Sequence, residues 1–330
     1  MRPLTFQVLP LRFGFHARDA LHFPVGKSGN TLRGAFGTIF RRLVCPEGCS
    51  GSDRCPKRAS CPYVRVFEPQ ASALGGSVRP SGLTDWPRPF VFRAAHLDGR
   101  TFAPGESFHF DVHLFDCQGP TLKYFILAFS QLGREGLGPR RARADLIDIY
   151  RLDCRRQPVA QVFDGVTLTE PEASSFVQIE LKPEPEPVTR VLVRFETPTE
   201  LKSGRTLTLR PEFPILFARI RDRISALRSL YGPGPLLIDF KCMGEHAARV
   251  RMLGCNLEYA YTVRRSTRTQ QVHPLGGFVG EAEYEGDLTE FLPYLRAAFW
   301  TGVGRQTVWG KGVIRVVATD ASRGRGAVES

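Results

Sequence analysis

No stretch of this 330-residue chain approaches the roughly 18 consecutive apolar residues that a membrane helix requires. Its start, Met1-Arg2-Pro3-Leu4-Thr5-Phe6, has no long apolar h-region of the kind a signal peptide carries. Both absences predict a soluble, cytoplasmic protein with no membrane partner. A reducing compartment makes disulfides an unfavourable use of the eight cysteines. No Walker motif, nucleophile elbow or HExxH segment is present, which removes the commonest signatures of nucleotide hydrolysis, serine hydrolysis and zinc proteolysis. Acidic residues are the scarcer charge. Lys plus Arg is 45 against 33 Asp plus Glu, a net +12 that favours a polyanionic partner.

What the chain does have is a glycine-rich, basic turn near the end of each half. The first is Leu132-Gly-Arg134-Glu-Gly136-Leu-Gly138-Pro-Arg140-Arg141, with Arg143 just beyond. The second is Thr301-Gly302-Val-Gly304-Arg305-Gln-Thr-Val-Trp-Gly310-Lys311-Gly312. Glycine lets a backbone adopt positive φ and approach a ligand closely, and interleaved cations point to a phosphate backbone as that ligand.

Each turn follows a helical pattern and precedes a strand pattern. In the first half, a strand over Leu4–Phe15, a helix over Thr31–Leu43, strands near Phe90–Arg93 and Ser107–Phe115, a helix over Thr121–Leu132 and a strand over Ala144–Leu152 are expected. In the second half the order repeats. It comprises Val188–Phe195, a helix between Glu212 and Tyr231, paired strands Leu257–Arg265 and Gly277–Tyr284, a helix capped by Asp287, and a strand over Val313–Ala318. Both halves read as β-α-β-β-α-β, so the fold class is α+β with two tandem ferredoxin-like domains. The expected division is a first domain over residues 1–181 with a Cys-rich insertion near 45–69, a Pro/Glu linker at 182–187, a second domain over 188–320, and a disordered tail from 321 to 330.

Cys45, Cys49, Cys55 and Cys61 lie among prolines and glycines that supply turns. A structural zinc site is the leading use of such a cluster; an iron–sulfur cluster, free thiols and a disulfide are the alternatives. Cys117, Cys154, Cys242 and Cys255 read as small core residues. His109, Asp111 and His113 alternate along one strand, which predicts a solvated strand face, with a metal site as the alternative. Arg264, Arg265 and Arg268 crowd an expected hairpin tip and suit RNA contacts. His22 and Lys27 precede the first helix, and His273 lies on the basic hairpin. Each histidine could act as an acid or base near neutral pH, and each equally suits a solvated surface position.

Taken together, the chain resembles CRISPR-associated endoribonucleases of the RAMP superfamily that process precursor CRISPR RNA. The resemblance rests on Gly29-Asn-Thr-Leu-Arg33-Gly34-Ala35-Phe36-Gly37, Cys61-Pro-Tyr-Val-Arg-Val-Phe-Glu-Pro69, Pro89-Phe-Val91, Leu132–Gly138, Thr197-Pro-Thr-Glu-Leu-Lys202, Leu275-Gly-Gly-Phe-Val-Gly280 and above all Gly302–Gly312. It implies two ferredoxin-like domains, binding of CRISPR repeat RNA, and cleavage without a catalytic metal by 2′-hydroxyl attack, leaving 2′,3′-cyclic phosphate and 5′-hydroxyl ends. A monomer or homodimer, with other CRISPR effector subunits as further partners, fits that reading. A non-catalytic RNA-binding RAMP subunit is the alternative.

Overall fold

A computed structural model describes residues 4–45, 49, 55–69, 86–117, 120–138, 140–172, 175–204, 206–261, 263–265, 272–274 and 276–319. In the first half, β1 (Thr5–Ala17), α1 (Ser28–Val44), β2 (Phe90–Arg93), β3 (Ser107–Leu114), α2 (Thr121–Glu135) and β4 (Ala144–Leu152) follow the predicted order. They are extended by β5 (Pro158–Phe163) and β6 (Val177–Glu180). The antiparallel sheet runs β2-β3-β1-β4-β5, with β6 pairing the start of β1. Period-two alternation decides which face is apolar. In β1 and β3 the residues Phe13 and Phe15 sit opposite Phe110 and Phe108, and all four are buried. On α2, Leu122, Phe125, Ile126, Phe129 and Leu132 form the stripe that covers them. Phe36 of α1 fits between the helices and the sheet, its ring 4.3 Å from Phe125 and stacked 5.2 Å from Phe129.

The second half repeats the plan with β7 (Arg190–Thr199), α3 (Phe213–Tyr231), α4 (Phe240–Ala247), β8 (Arg251–Ala260), β9 (Gly277–Glu285), α5 (Leu292–Thr301) and β10 (Ile314–Ala318). Its sheet order, β8-β9-β7-β10, is the same ferredoxin-like arrangement. Its own core packs Phe213, Phe217, Tyr284 and Phe291 edge to face. Two tandem ferredoxin-like units are therefore present. In the joining segment, Glu184 donates its N–H to Thr289 O at 3.1 Å and its carboxylate accepts from Arg296 at 2.7 Å.

Several local expectations differ from the structure. Asp287 accepts from Thr289 N at 3.2 Å, but α5 starts later, at Leu292. Pro293 in its first turn accounts for the late start, since proline's fixed φ suits a first helical position and its missing N–H cannot continue a preceding helix. The strand expected over Leu257–Arg265 is in fact Arg251–Ala260, followed by a separate ribbon in which Val263–Arg265 pairs with Val272–Pro274. The tail from 321 to 330 lies outside the described residues.

The strand bearing His109, Asp111 and His113 is not solvated as expected. Asp111 and His113 are 0% exposed, because α5 of the second half and the Arg12 and Arg156 side chains cover that face. Nor are all the scattered cysteines core residues: Cys154 and Cys255 are exposed.

Candidate nucleic-acid interface

The second glycine turn is built around the C-terminus of α5. Gly302 leaves the helix at φ +69, and Val303 N then donates to Gly312 O at 2.8 Å, closing the loop on itself. Gly304 sits at φ +78, with a Cβ position only 2.3 Å from Glu200 O. A Cβ on Gly312 would fall 1.9 Å from Val303 O. These glycines bring the backbone close to its own chain. The expectation that Gly304 approaches a ligand is corrected accordingly: its neighbour is the end of β7. Arg305 is likewise engaged, its guanidinium paired with the buried Glu200 carboxylate.

Past this closure the turn crosses to the first half. The Gly29 Cβ position lies 2.2 Å from Trp309 O, so the start of α1 rests directly on the turn. The Gly310 Cβ position is 3.0 Å from Phe92 O of β2. Lys311, 6% exposed, donates from Nζ to Gly26 O at 3.2 Å. Burial lowers its pKa, and the nearby Asp98 carboxylate opposes that shift.

The first glycine turn is more open. Gly136, at φ +101, passes within contact of Arg141 O, and Leu137 and Ala142 exchange backbone hydrogen bonds of 2.7 and 3.0 Å. Arg134, Arg140 and Arg141 are exposed. Arg143 is exposed too but occupied. It donates to both Asp19 oxygens, at 2.9 and 3.1 Å, and holds that carboxyl at about 2.

Between the two turns runs the segment from His22 to Gly29. His22 is exposed and its Nδ1 lies 2.9 Å from Thr101 Oγ1, across the short pairing of Leu21–His22 with Thr101–Phe102. The atom nearest the Gly138 Cβ position is His22 O, at 3.9 Å. Lys27 is half-buried at the cap of α1, its N–H bonded to Pro24 O at 3.1 Å. Ser28 is pinned through its N–H to Asp98 Oδ1 and its Oγ to Ala94 O. The structure therefore brings His22, Lys27, Gly138, Gly310 and Lys311 to one region. On the hairpin, Arg264 pairs in register with His273, while Arg268 lies outside the described residues.

Sequence reasoning missed what locks the halves together. The C-terminal carbonyls of α5 lack intrahelical partners and carry the negative end of the helix dipole. Arg93 of β2 donates to Phe299 O at 2.7 Å and to Trp300 O at 3.2 Å. His113 Nδ1 donates to Trp300 O at 3.0 Å, and Arg223 of α3 donates to Thr301 O at 3.0 Å. Burial lowers all three: His113 to about 3, Arg93 to about 9 and Arg223 to about 10. Beside this joint, the outer face of the first sheet holds a hollow of about 370 Å³ lined by Arg12, Gly14, His109, Asp148 and Tyr150, among others.

The zinc expectation is not supported. Among the described residues no group of three or more His, Cys, Asp or Glu side chains is arranged to hold a metal. Cys45, Cys49, Cys55 and Cys61 form no disulfide. Burial and its neighbours Cys49 and Cys61 push the Cys45 thiol up to about 11. The exit of this segment is held by apolar packing instead. Val64, Val66 and Phe67 of the short helix Pro62–Phe67 are buried, and the Phe67 ring lies 5.2 Å from Phe36.

Comparison with known proteins matches both halves. A family model described as an N-terminal domain (AF_1859_N) matches residues 6–174, and the model of the CRISPR-associated endoribonuclease Cas6 matches residues 193–314. Among solved structures, the Thermus thermophilus Cas6 (TTHB231) product complex superposes with a TM-score of 0.52 at 16% identity, covering 94% of this chain and 99% of that one. A partial Cas6-RT-Cas1–Cas2 complex superposes with a TM-score of 0.53 at 12% identity, covering all of this chain and 49% of that one. No curated protein matches. The C-terminal region that carries the glycine-rich turn thus matches the CRISPR-associated endoribonuclease Cas6, and the chain as a whole has the fold of solved Cas6 proteins.

Proposed function

We propose that this protein binds CRISPR repeat RNA and cleaves precursor CRISPR RNA without a catalytic metal. The observation that carries the reading is the placement of the His22–Gly29 segment between the two glycine-rich turns, the first of which exposes Arg140 and Arg141. A solved relative is a Cas6 product complex, and others are Cas6 in a Cas6-RT-Cas1–Cas2 assembly. Repeat RNA and other CRISPR subunits are the corresponding partners here, with the protein acting in the cytoplasm as a monomer or homodimer.

In this reading His22 is the general base. Thr101 holds Nδ1, and Nε2 has no partner among the described residues. Nε2 takes the proton of the 2′-hydroxyl, whose oxygen attacks the adjacent phosphorus. The bond from phosphorus to the 5′-oxygen breaks, and that oxygen takes up a proton. The products are a 2′,3′-cyclic phosphate and a 5′-hydroxyl. Lys27 stabilises the extra negative charge on the phosphorane. Arg134, Arg140 and Arg141 supply the phosphate contacts that position the strand, together with the hairpin bearing Arg264, Arg265, Arg268 and His273.

The test is incubation of the purified full chain with repeat RNA in EDTA, followed by end-group analysis. Cleavage with cyclic phosphate and 5′-hydroxyl ends is expected. Tight binding with no cleavage would instead assign the chain to the non-catalytic, RNA-binding class.

A further inference from the structure

In the second half, three side chains that play no part in the RNA reading form a hydrogen-bonded chain. Cys242 and His246 lie four residues apart on α4, and so share one face of the helix. Cys242 Sγ is 3.5 Å from His246 Nε2. The other ring nitrogen, Nδ1, is 2.7 Å from Glu290 Oε1, contributed by the turn before α5. The His246 side chain is 43% exposed and that of Glu290 30%, so the group is open to reagents.

We propose that Cys242 is a covalent modification site, a nucleophilic thiol that reacts with soft electrophiles and hydroperoxides. The geometry follows the general pattern of an activated nucleophile: thiol, base, and a third group that orients the base. The Glu290 carboxylate accepts the Nδ1 proton, which leaves Nε2 as the acceptor facing sulfur. Proton transfer from Sγ to Nε2 then gives a thiolate beside an imidazolium, with Glu290 balancing the imidazolium charge. Cys242 also lies in the first turn of α4, where the helix dipole favours an anion. Asp239 caps that turn, accepting from Lys241 N at 3.0 Å and Cys242 N at 2.9 Å. Charged groups on or against α4 among the described residues include Lys241 and Glu245, paired at 3.9 Å on the same helix, and Arg221 of α3, which donates to Phe240 O.

With a hydroperoxide, the sulfur attacks the terminal oxygen and the O–O bond breaks. The thiol is oxidised by two electrons to a sulfenic acid. The peroxide is reduced to an alcohol or water as its leaving oxygen takes the proton from the His246 imidazolium.

The other cysteines supply internal controls. Cys154 and Cys255 are exposed and have no histidine partner among the described residues, whereas burial pushes the Cys117 thiol up to about 12. The full chain would be treated with iodoacetamide across pH 5–9 and labelling followed peptide by peptide. Cys242 is expected to alkylate about 10-fold faster than Cys154 and Cys255 at pH 7, with a rate that persists to lower pH. His246→Gln and Glu290→Gln, each checked for unchanged melting, should bring its rate down towards that of Cys255. With one equivalent of hydrogen peroxide, a dimedone adduct should appear first at Cys242. Alkylation of Cys242 no faster than Cys255, or an unchanged rate in a folded His246→Gln variant, would overturn the proposal. Neither result depends on whether the protein cuts RNA.

Discussion

The Lys311 ammonium, in the second half, donates to Gly26 O in the first at 3.2 Å, and so ties the C-terminal glycine turn to the segment that carries His22 and Lys27. A basic residue in a glycine-rich signature is thus spent on holding two loops together. Its charge is buried between them and is not displayed at the surface.

His22→Ala should lower the single-turnover cleavage rate about 10²-fold or more with little change in RNA affinity, as expected for loss of a general base. Thr101→Val should cost less, because it removes only the group that orients the ring. Parallel cleavage and binding measurements on repeat RNA in EDTA decide this. Parental rates in both His22→Ala and His273→Ala would place the base on another residue.

Replacing Arg134, Arg140 and Arg141 together with alanine should weaken repeat-RNA binding and flatten its salt dependence. At about 0.7 per phosphate contact on a single strand, three contacts predict a slope smaller by about 2. The hairpin triple variant of Arg264, Arg265 and Arg268 gives the comparison. A set whose removal leaves affinity unchanged at every salt concentration does not face RNA.

Gly304→Val should unfold the protein more readily instead of selectively abolishing binding. Positive φ alone costs a branched residue on the order of 1–3 kcal/mol, and the Cβ would stand 2.3 Å from Glu200 O. The denaturant midpoint should fall clearly. A variant with parental stability but no RNA binding would restore a ligand-facing role for this glycine.

Acid should loosen the joint between the halves. His113 titrates near 3 in the folded chain, against an ordinary value of 6.5. Between those values the unfolded chain binds the extra proton, so stability is present above about pH 6.5 and is lost progressively as pH falls towards 3. The full effect is on the order of a few kcal/mol. Denaturant unfolding from pH 7 to 4 should show it, and His113→Gln should flatten the profile. Identical pH dependence in parent and variant would remove His113 as the cause.

Much of the architecture was legible because it follows from period. Phe90–Arg93 and Ala144–Leu152 are strands over the residues expected, and the α2 stripe from Leu122 to Leu132 is buried as its spacing implies. The site was legible in part. The sequence showed two basic glycine turns and a histidine before the first helix, but not that Gly304 and Gly312 are aimed at Glu200 and Val303. A positive φ marks a glycine without saying whether ligand or chain lies opposite. Asp111 and His113 looked like a wet strand face because alternation reports one sheet's own faces. It cannot report that a helix some 190 residues later will cover one of them (Trp300 against His113). Cys242 and His246 carried an i,i+4 signal, but Glu290, which completes the chain, is 44 residues away.

The hydrogen-bond donors gathered at the end of α5 have a consequence for how an RNA would be admitted under the proposed reading. Swinging the two halves apart would pull Arg93 and His113 off the carbonyls of Phe299 and Trp300, leaving ionisable groups and helix-end acceptors without partners in a dry interior. That is closer to local melting than to a hinge. Under the proposed reading, an RNA would therefore meet two halves held at a fixed separation, and shape discrimination would fall on the RNA's own folding instead of on closure of the protein around it.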